Sequence, residues 1–272
     1  MNKFHNLGLR LLVGFAGAFV IIFSIVYSPW TFMAAYSIMG LLTLNEYWKL
    51  VVKDDFKPLR FYGLVVFEVL FLSVFCIKIG YFDNNILIFS PIFIIIPFFI
   101  KLYDPHDPRP FLGLGLHFLG LLYVGLPFIL TSVIAFYDGY IFGIMTGVMC
   151  LTWATDVGSY FVGSYFGKTK LFERISPFKT WEGLIGGSLF SLFIAWCCFT
   201  IFGDLPLWKW LVMSMIISTM GIYGDLIESH FKRTIALKDS GASIPGHGGF
   251  LDRFDSFIIN VPFVIFFLEI TR

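Results

Sequence analysis

The sequence predicts an all-α, polytopic integral membrane protein with about nine transmembrane helices. Only 14% of its 272 residues are charged and 58% are hydrophobic, whereas about a quarter of the residues in a soluble globular chain are charged. Apolar stretches near the length of a bilayer crossing, about 20 residues, recur along the chain. The formal net charge of +1 gives no overall field that would attract nucleic acid. The expected surroundings are therefore a lipid bilayer, with no nucleic acid as partner.

The predicted crossings follow one another with short polar connections. The first begins after Lys3 and Arg10, as a secretory signal peptide would, but its apolar run is longer than most such peptides carry, so an uncleaved span is favoured. The fifth is interrupted by glycines and Pro127, so eight or ten crossings are the alternatives. The nine segments are 11–27, 29–45, 61–79, 85–101, 111–136, 140–158, 183–203, 206–227 and 255–270.

The distribution of basic residues predicts the orientation. With the N-terminus inside, 16 of the 19 lysine and arginine residues fall in inward segments, and only Lys78, Lys209 and Arg272 fall outside. An excess of this kind is typical of cytoplasmic loops. We therefore expect a cytoplasmic N-terminus and an outside C-terminus. A bacterial inner (cytoplasmic) membrane is expected, because no organelle-targeting extension precedes the first span.

Residues able to do chemistry are concentrated in the second half of the chain. The predicted division is into N-terminal transmembrane helices, 1–136, and a C-terminal transmembrane catalytic region, 137–272. In the first half, Glu68 is a carboxylate at mid-span. An ionisable residue at membrane depth is a functional candidate, but a protonated or hydrogen-bonded acid accounts for it equally well. Glu68 is left without a role.

The last inward segment carries paired acids at both of its helical ends. Asp225, Glu228 and Ser229 are spaced i, i+3 and i+4, so they share one face of the eighth predicted helix. Asp252 and Asp255 are spaced i and i+3 at the start of the ninth. Carboxylate oxygens suit Mg²⁺, which is usually completed by water and substrate phosphates. Each acid alone could equally be a helix anchor paired with a nearby base, but the set favours a magnesium–phosphate site.

A glycine-rich loop, 240–249, lies between these two helical ends. Glycines let backbone amides approach an anion closely, although the arrangement is not that of a P-loop. Within it, His247 is flanked by glycines. A phosphate contact or proton transfer by His247 is as plausible as a hydrogen bond that braces the loop.

The preceding inward segment repeats the theme of acids and bases. Asp156 follows an apolar run at the membrane edge with no neighbouring base in sequence. Lys168 and Lys179 are compact cations able to hold phosphates, while Ser176 offers a hydroxyl. Taken alone, Lys168 is explained by the positive-inside rule.

A longer pattern runs through the last inward segment, and the chain matches it at every position from Ser229 to Asp255. The pattern is S-x-[apolar]-K-R-x4-K-D-x-[small]-x2-[apolar]-[PG]-x-H-G-G-[apolar]-x-D-R-[apolar]-D. With the upstream Phe166-Gly167-Lys168 and 176–187, it resembles the phosphatidate cytidylyltransferases, or CDP-diacylglycerol synthases. The likeness is strong over about residues 150–260, and one departure lies at Val157–Tyr160, where the family usually has a small residue and alanine before the aromatic.

This resemblance implies a reaction at the cytosolic face, in which CTP and phosphatidate give CDP-diacylglycerol and pyrophosphate. It implies Mg²⁺ with an accompanying K⁺, and the ligands assigned to metal are Asp225, Asp252 and Asp255. The residues assigned to catalysis are Lys232, Arg233, Lys238, Asp239, His247 and Arg253. The candidates for clamping phosphates are the bases Lys168, Lys179, Lys232, Arg233, Lys238 and Arg253, and the candidates for ordering the nucleotide or its cations are Asp156, Glu182 and Asp239. The group that binds or orders the nucleotide comprises Asp156, Lys168, Ser176, Lys179, Glu182 and Ser229. Members of the family often form dimers, so a homodimer is a further expectation.

Two rival functions remain at this point. A secondary transporter would also have many spans, but transporters place their site near the midplane of a repeated half, whereas the charges here crowd one face. The second rival is another CTP-dependent enzyme that acts on an isoprenoid or archaeal lipid. Products formed from labelled CTP and a panel of lipid phosphates distinguish these functions.

Overall fold

The computed structural model describes residues 3–51, 59–235, 241, 243 and 248–272, with side chains described from Leu12 onward. Over these ranges the chain is all-α apart from one short hairpin. The elements are α1 Lys3–Tyr27, α2 Pro29–Val51, α3 Arg60–Lys78, a 3₁₀ helix Asn84–Phe89, α4 Ser90–Leu102, α5 Pro110–Gly120, a π-helical turn Leu121–Gly125, α6 Leu126–Ala135, α7 Phe142–Phe166, β1 Lys170–Phe172, β2 Ser176–Thr180, α8 Trp181–Phe202, α9 Leu207–Thr234 and α10 Leu251–Ile270.

The described helices identify a multi-pass membrane protein. Five helical stretches among the described residues are long and apolar enough to cross a membrane: Arg60–Lys78, Asn84–Leu102, Pro110–Ala135, Trp181–Phe202 and Leu207–Thr234. The part of α1 from Leu12 to Tyr27 is apolar but shorter. The count of nine crossings and the orientation remain predictions.

The fifth predicted span is one continuous helical stretch of 26 residues. Its glycines do not end the helix, and the chain passes through a single π-helical turn between α5 and α6. Gly120 shows why a small residue is needed, because a Cβ at that position would lie 2.7 Å from Trp48 Nε1. Trp48 is fully buried and stacks on His117, with ring centroids 5.5 Å apart.

Helices around the predicted site are longer than the apolar spans from which they were inferred. α7 continues to Phe166, α9 continues to Thr234, and α10 begins at Leu251. The segment between α7 and α8 also forms an antiparallel pair of strands, β1 and β2, in place of the predicted loop. The length of an apolar segment therefore underestimates the length of a helix whose polar ends extend beyond that segment.

By internal contacts the chain forms two compact units. The first is Met1–Tyr140 with Ser240–Leu251, and the second is Ile141–Asp239 with Asp252–Arg272. Buried aromatic side chains, among them Phe67 and Phe128, form the core of the first unit. The predicted division between 136 and 137 rests on where the chemistry lies and remains a prediction.

In the second unit, α7 and α8 pack through small residues. A Cβ at Gly158 would lie 3.0 Å from the Cα of Gly187, and one at Gly187 would lie 2.7 Å from the carbonyl oxygen of Thr155. Close backbone approach over small residues is a common way for helices to associate in a membrane. This packing positions the part of α7 that carries Asp156 and the start of α8, which carries Glu182.

Candidate active site

Four polar side chains of α9 lie along one face of its last three turns. Asp225, Glu228, Ser229 and Lys232 follow one another at helical spacing. Ser229 Oγ donates a hydrogen bond to Asp225 Oδ1 over 3.2 Å. Because α9 continues to Thr234, this face is unbroken, and all four side chains are held by one rigid element.

α10 brings a third carboxylate to this face. One oxygen from each of Asp225, Glu228 and Asp255 lies within 4.8 Å of the other two. The contact between the helices is fixed in part by Ser256, whose Oγ donates to the carbonyl oxygen of Gly221 over 2.9 Å. Three carboxylates so close together repel one another unless positive charge lies between or beside them.

Lys232 supplies part of that positive charge from a buried position. Its Nζ lies 2.5 Å from Glu228 Oε2 and 2.5 Å from Asp252 Oδ1. The side chains of Glu228 and Asp252 are only 1% and 9% exposed. A buried cation between two carboxylates holds the three side chains together, because removing one partner leaves a buried charge uncompensated. Lys232 thus joins the ends of α9 and α10.

Lys179 approaches the cluster from β2. Its Nζ lies 2.6 Å from Asp225 Oδ2 and donates to the carbonyl oxygen of Ile222 over 3.1 Å. The strand presents the lysine to α9, while Ser176 at the other end of the strand is partly exposed. Two lysines from different elements therefore flank the three carboxylates.

Glu182 holds the hairpin to the start of α8. Its carboxylate accepts hydrogen bonds from the backbone amides of Lys168, over 3.2 Å, and Thr169, over 3.1 Å. Thr180 caps the same helix, because its Oγ1 accepts from the amide of Gly183 over 3.2 Å. The Lys168 side chain itself is exposed. The hairpin that carries Lys179 is thereby fixed at its base.

The remaining predicted site residues are placed as follows. Arg253, in the first turn of α10, and Arg233, near the end of α9, are exposed. Asp156, near the middle of α7, is also exposed, and it lies near enough to Asp225, Lys179 and Arg253 to interact with them electrostatically. Asp252 was predicted as a metal ligand, and its carboxylate contacts Lys232 instead of joining the three-carboxylate group. Its assignment to the metal remains a prediction. Lys238, Asp239 and His247 lie outside the described residues.

Glu228 belongs to the acidic set that predicts a magnesium–phosphate site, but it is not among the three residues assigned to the metal from the sequence. The sequence places it on the same helical face as Asp225, but no metal role was given to it. The sequence signal for a metal role of Glu228 is its position at i+3 from Asp225, on a helix whose polar face continues past the apolar span. In the structure it is the most buried of the three clustered carboxylates.

The donor set of the cluster fits a hard divalent cation. Glu228 Oε1 is buried and has no hydrogen-bond partner among the described residues, while Oε2 contacts Lys232. A buried carboxylate oxygen without a partner is costly, and cation binding would relieve that cost. Carboxylate oxygens from Asp225, Glu228 and Asp255 are of the kind that Mg²⁺ prefers.

Comparison with known proteins places the chain in a family. A family model described as the cytidylyltransferase family matches residues 8–271. The phosphatidate cytidylyltransferase of Bacillus subtilis (strain 168) is 32% identical over 265 residues, which are 96% of this chain and 97% of that protein. The protein of the same name from Haemophilus influenzae is 44% identical over 125 residues, which are 44% of this chain and 43% of that protein. The one from Staphylococcus saprophyticus is 48% identical over 114 residues, which are 41% of this chain and 44% of that protein.

Proposed function

The chain belongs to the cytidylyltransferase family, and we propose that it transfers CMP from CTP to phosphatidate, giving CDP-diacylglycerol and pyrophosphate. The observation that carries this proposal is the cluster of Asp225, Glu228 and Asp255 flanked by Lys179 and Lys232. A relative that carries the name of this activity aligns over 96% of the chain. The protein is thus a membrane enzyme of phospholipid biosynthesis whose substrates are CTP and phosphatidate.

The reaction needs no nucleophile from the protein. A phosphate oxygen of the lipid forms a bond to the α-phosphorus of CTP, and the bond from that phosphorus to the oxygen leading to the β-phosphate breaks. Transfer of this kind depends on charge neutralisation and in-line positioning. Lys179 and Lys232 are held beside the carboxylates by the contacts described above, where they would face the phosphates.

The three clustered carboxylates would hold Mg²⁺. When bound, this ion would neutralise charge on the phosphates and on the leaving pyrophosphate. Lys232 keeps Glu228 and Asp252 in place at the joined ends of α9 and α10, and Lys179 does the same for Asp225. The K⁺ that the family resemblance implies, and the metal role of Asp252, belong to the same proposal.

The proposed setting is a bacterial inner membrane with the site facing the cytosol. Nine crossings, a cytoplasmic N-terminus and an outside C-terminus are supported by the 16 of 19 basic residues that fall on one side. A homodimer is part of the proposal, and its support is the family resemblance.

Position-specific labelling of CTP tests the proposed reaction. Purified protein is incubated with Mg²⁺, phosphatidate micelles and CTP labelled at the α or the γ phosphate, with Asp255→Asn as the control. The α label should appear in lipid, and the γ label should appear in pyrophosphate. Transfer of γ label to lipid would indicate a lipid kinase and overturn the proposal. An isoprenoid or archaeal lipid phosphate as the preferred acceptor would move the enzyme to the rival substrate class, and absence of any lipid product would favour the transporter.

A further inference from the structure

Glu46, on α2 in the first unit, contacts the segment Ser240–Leu251 of the same unit, which contains the glycine-rich loop. Its carboxylate is almost completely buried, with 5% of the residue exposed. Glu46 Oε2 accepts hydrogen bonds from Ser243 Oγ and from the backbone amide of Phe250, both over 3.0 Å. Glu46 Oε1 accepts from the backbone amide of Leu251 over 3.1 Å. Three donors of one segment therefore converge on one carboxylate.

The two backbone amides lie at the point where α10 begins. Amides at a helix N-terminus have no partner within the helix, and a negative charge there is favoured by the helix dipole. Such amides are usually capped by a residue next to them in sequence. Here the acceptor is separated from Leu251 by 205 positions. The cap is therefore a tertiary contact that defines where α10 starts.

The glycines of the segment allow the chain to approach this carboxylate. A Cβ at Gly241 would lie 3.3 Å from the Glu46 carboxylate carbon and 3.3 Å from Oε2, which is tight contact. Gly248 has φ of +85°, a conformation that favours glycine and turns the chain shortly before Phe250. Both described ends of the segment are thus arranged around the same buried acid.

We propose that Glu46 is a positioning residue for the reaction, acting by fixing the first turn of α10. Asp252 directly follows Leu251, and Asp255 lies about one helical turn further on. A shift or fraying of the first turn would displace Asp255 from Asp225 and Glu228. Glu46 would thereby act on the magnesium cluster through the first turn of α10. This inference rests on the proposed function for its consequence in catalysis.

The test compares Glu46→Ala and Glu46→Gln with the matched control Glu68→Gln. Glu68 is another acid of the first unit. Its Oε2 accepts a hydrogen bond, over 2.7 Å, from the Oγ of Ser37, which lies on α2. Loss of a positioning contact typically costs on the order of 10-fold or more in rate. The Mg²⁺ concentration for half-maximal rate should rise in the order wild type, Gln, Ala, because Gln keeps one acceptor oxygen. The control should stay within about 2-fold of wild type.

A second measurement does not depend on turnover. Mg²⁺ should raise the melting temperature of the wild-type protein through binding to the folded state, and the Glu46 variants should need more Mg²⁺ for the same rise. If this shift is impaired while wild type makes no CDP-diacylglycerol, the positioning role stands and the proposed reaction falls. If wild type is active and both Glu46 variants match its rate and Mg²⁺ dependence, the positioning role is wrong.

Ser243→Ala provides a milder variant in case the Glu46 variants fold poorly. It removes one hydrogen bond to the carboxylate and should lower the rate about 2- to 5-fold in the wild-type background. In a Glu46→Ala background the same change should have no further effect, because the acceptor is gone. Full additivity of the two substitutions, or a wild-type rate and Mg²⁺ dependence for Ser243→Ala, would contradict the proposal.

Discussion

Gly224 of α9 lies directly against the backbone of Asp255 of α10. A Cβ at position 224 would come to 2.7 Å from the Asp255 carbonyl oxygen and 2.9 Å from the Cα of Ser256. Real Cβ atoms essentially never approach other atoms so closely. Asp225 follows Gly224 in sequence, so the close approach of the two backbones sets the separation of two carboxylates in the cluster. The site therefore depends on a residue that has no side chain.

Gly224→Ala should separate α9 from α10 and lower activity. Overpacking of a tight contact usually costs about 1–3 kcal/mol, and a displacement of reacting groups near 1 Å can cost about 10²-fold in rate. We expect a decrease of 10-fold or more in CDP-diacylglycerol synthesis, with a higher Mg²⁺ requirement. The measurement is initial rate against Mg²⁺ concentration in purified, folded protein.

Gly115→Ala on α5 is the matched control. It makes the same change in an apolar helix, where a Cβ would meet no atom within 4 Å. Its activity should stay close to that of wild type, because alanine also has the higher helix propensity. Equal activity in both variants would show that the contact between Gly224 and Asp255 does not control the site.

Glu228→Gln and Asp255→Asn should each impair the magnesium site. Both substitutions keep the size of the side chain while they remove a charge that the cluster contributes. We expect at least about a 10²-fold loss of rate, or roughly 2.7 kcal/mol. The half-saturating Mg²⁺ concentration should increase in both variants. Wild-type turnover with unchanged Mg²⁺ dependence would remove the substituted residue from the metal set.

Asp252→Asn distinguishes the sequence assignment from the contact seen in the structure. If Asp252 is a metal ligand, its loss should raise the Mg²⁺ requirement as strongly as Asp255→Asn. If its role is to hold Lys232, the maximal rate and stability should fall while the Mg²⁺ requirement changes less. Rate measured at several Mg²⁺ concentrations separates these outcomes.

Lys232→Met should destabilise the protein as well as inactivate it. It removes the cation from between Glu228 and Asp252, which are both buried, and breaking a buried ion pair costs about 3–5 kcal/mol. Adding Asp252→Asn to Lys232→Met should restore part of the stability, because one uncompensated charge is then removed. Thermal inactivation in detergent measures both effects. Equal stability of wild type and Lys232→Met would contradict the role given to this lysine.

Local spacing predicted the parts of the site that lie on one element. The shared face of Asp225, Glu228 and Ser229 follows from helical periodicity, and the second acidic pair follows from the same rule applied to α10. The all-α class followed from apolar length. These features depend on neighbours within about one helical turn, so they can be predicted from the spacing of residues in the sequence.

Contacts between distant residues could not be predicted in this way. Lys179 donates a hydrogen bond to the backbone of Ile222, 43 positions away in sequence. Leu251 donates one to Glu46, 205 positions away. The spacing of residues in the sequence also does not predict that α10 packs against Gly224. The hairpin β1–β2 was missed because strands of three and five residues carry little periodic signal. The pairing of Asp252 with Lys232 also depends on how two helices meet.

The final prediction concerns sidedness, which follows from the partition of basic residues. In a background with Cys76, Cys150, Cys197 and Cys198 replaced, a cysteine is introduced at Arg174, between β1 and β2, or at Asp83, between α3 and the 3₁₀ helix. Both native residues are exposed, so each position should be accessible to reagent from its own side. With a cytoplasmic N-terminus and nine crossings, Arg174→Cys should react with a membrane-impermeant thiol reagent only after the inner face is opened, whereas Asp83→Cys should react in intact cells. Positive-inside bias sets orientation during insertion, so labelling of both from the same face would rule out the nine-span arrangement.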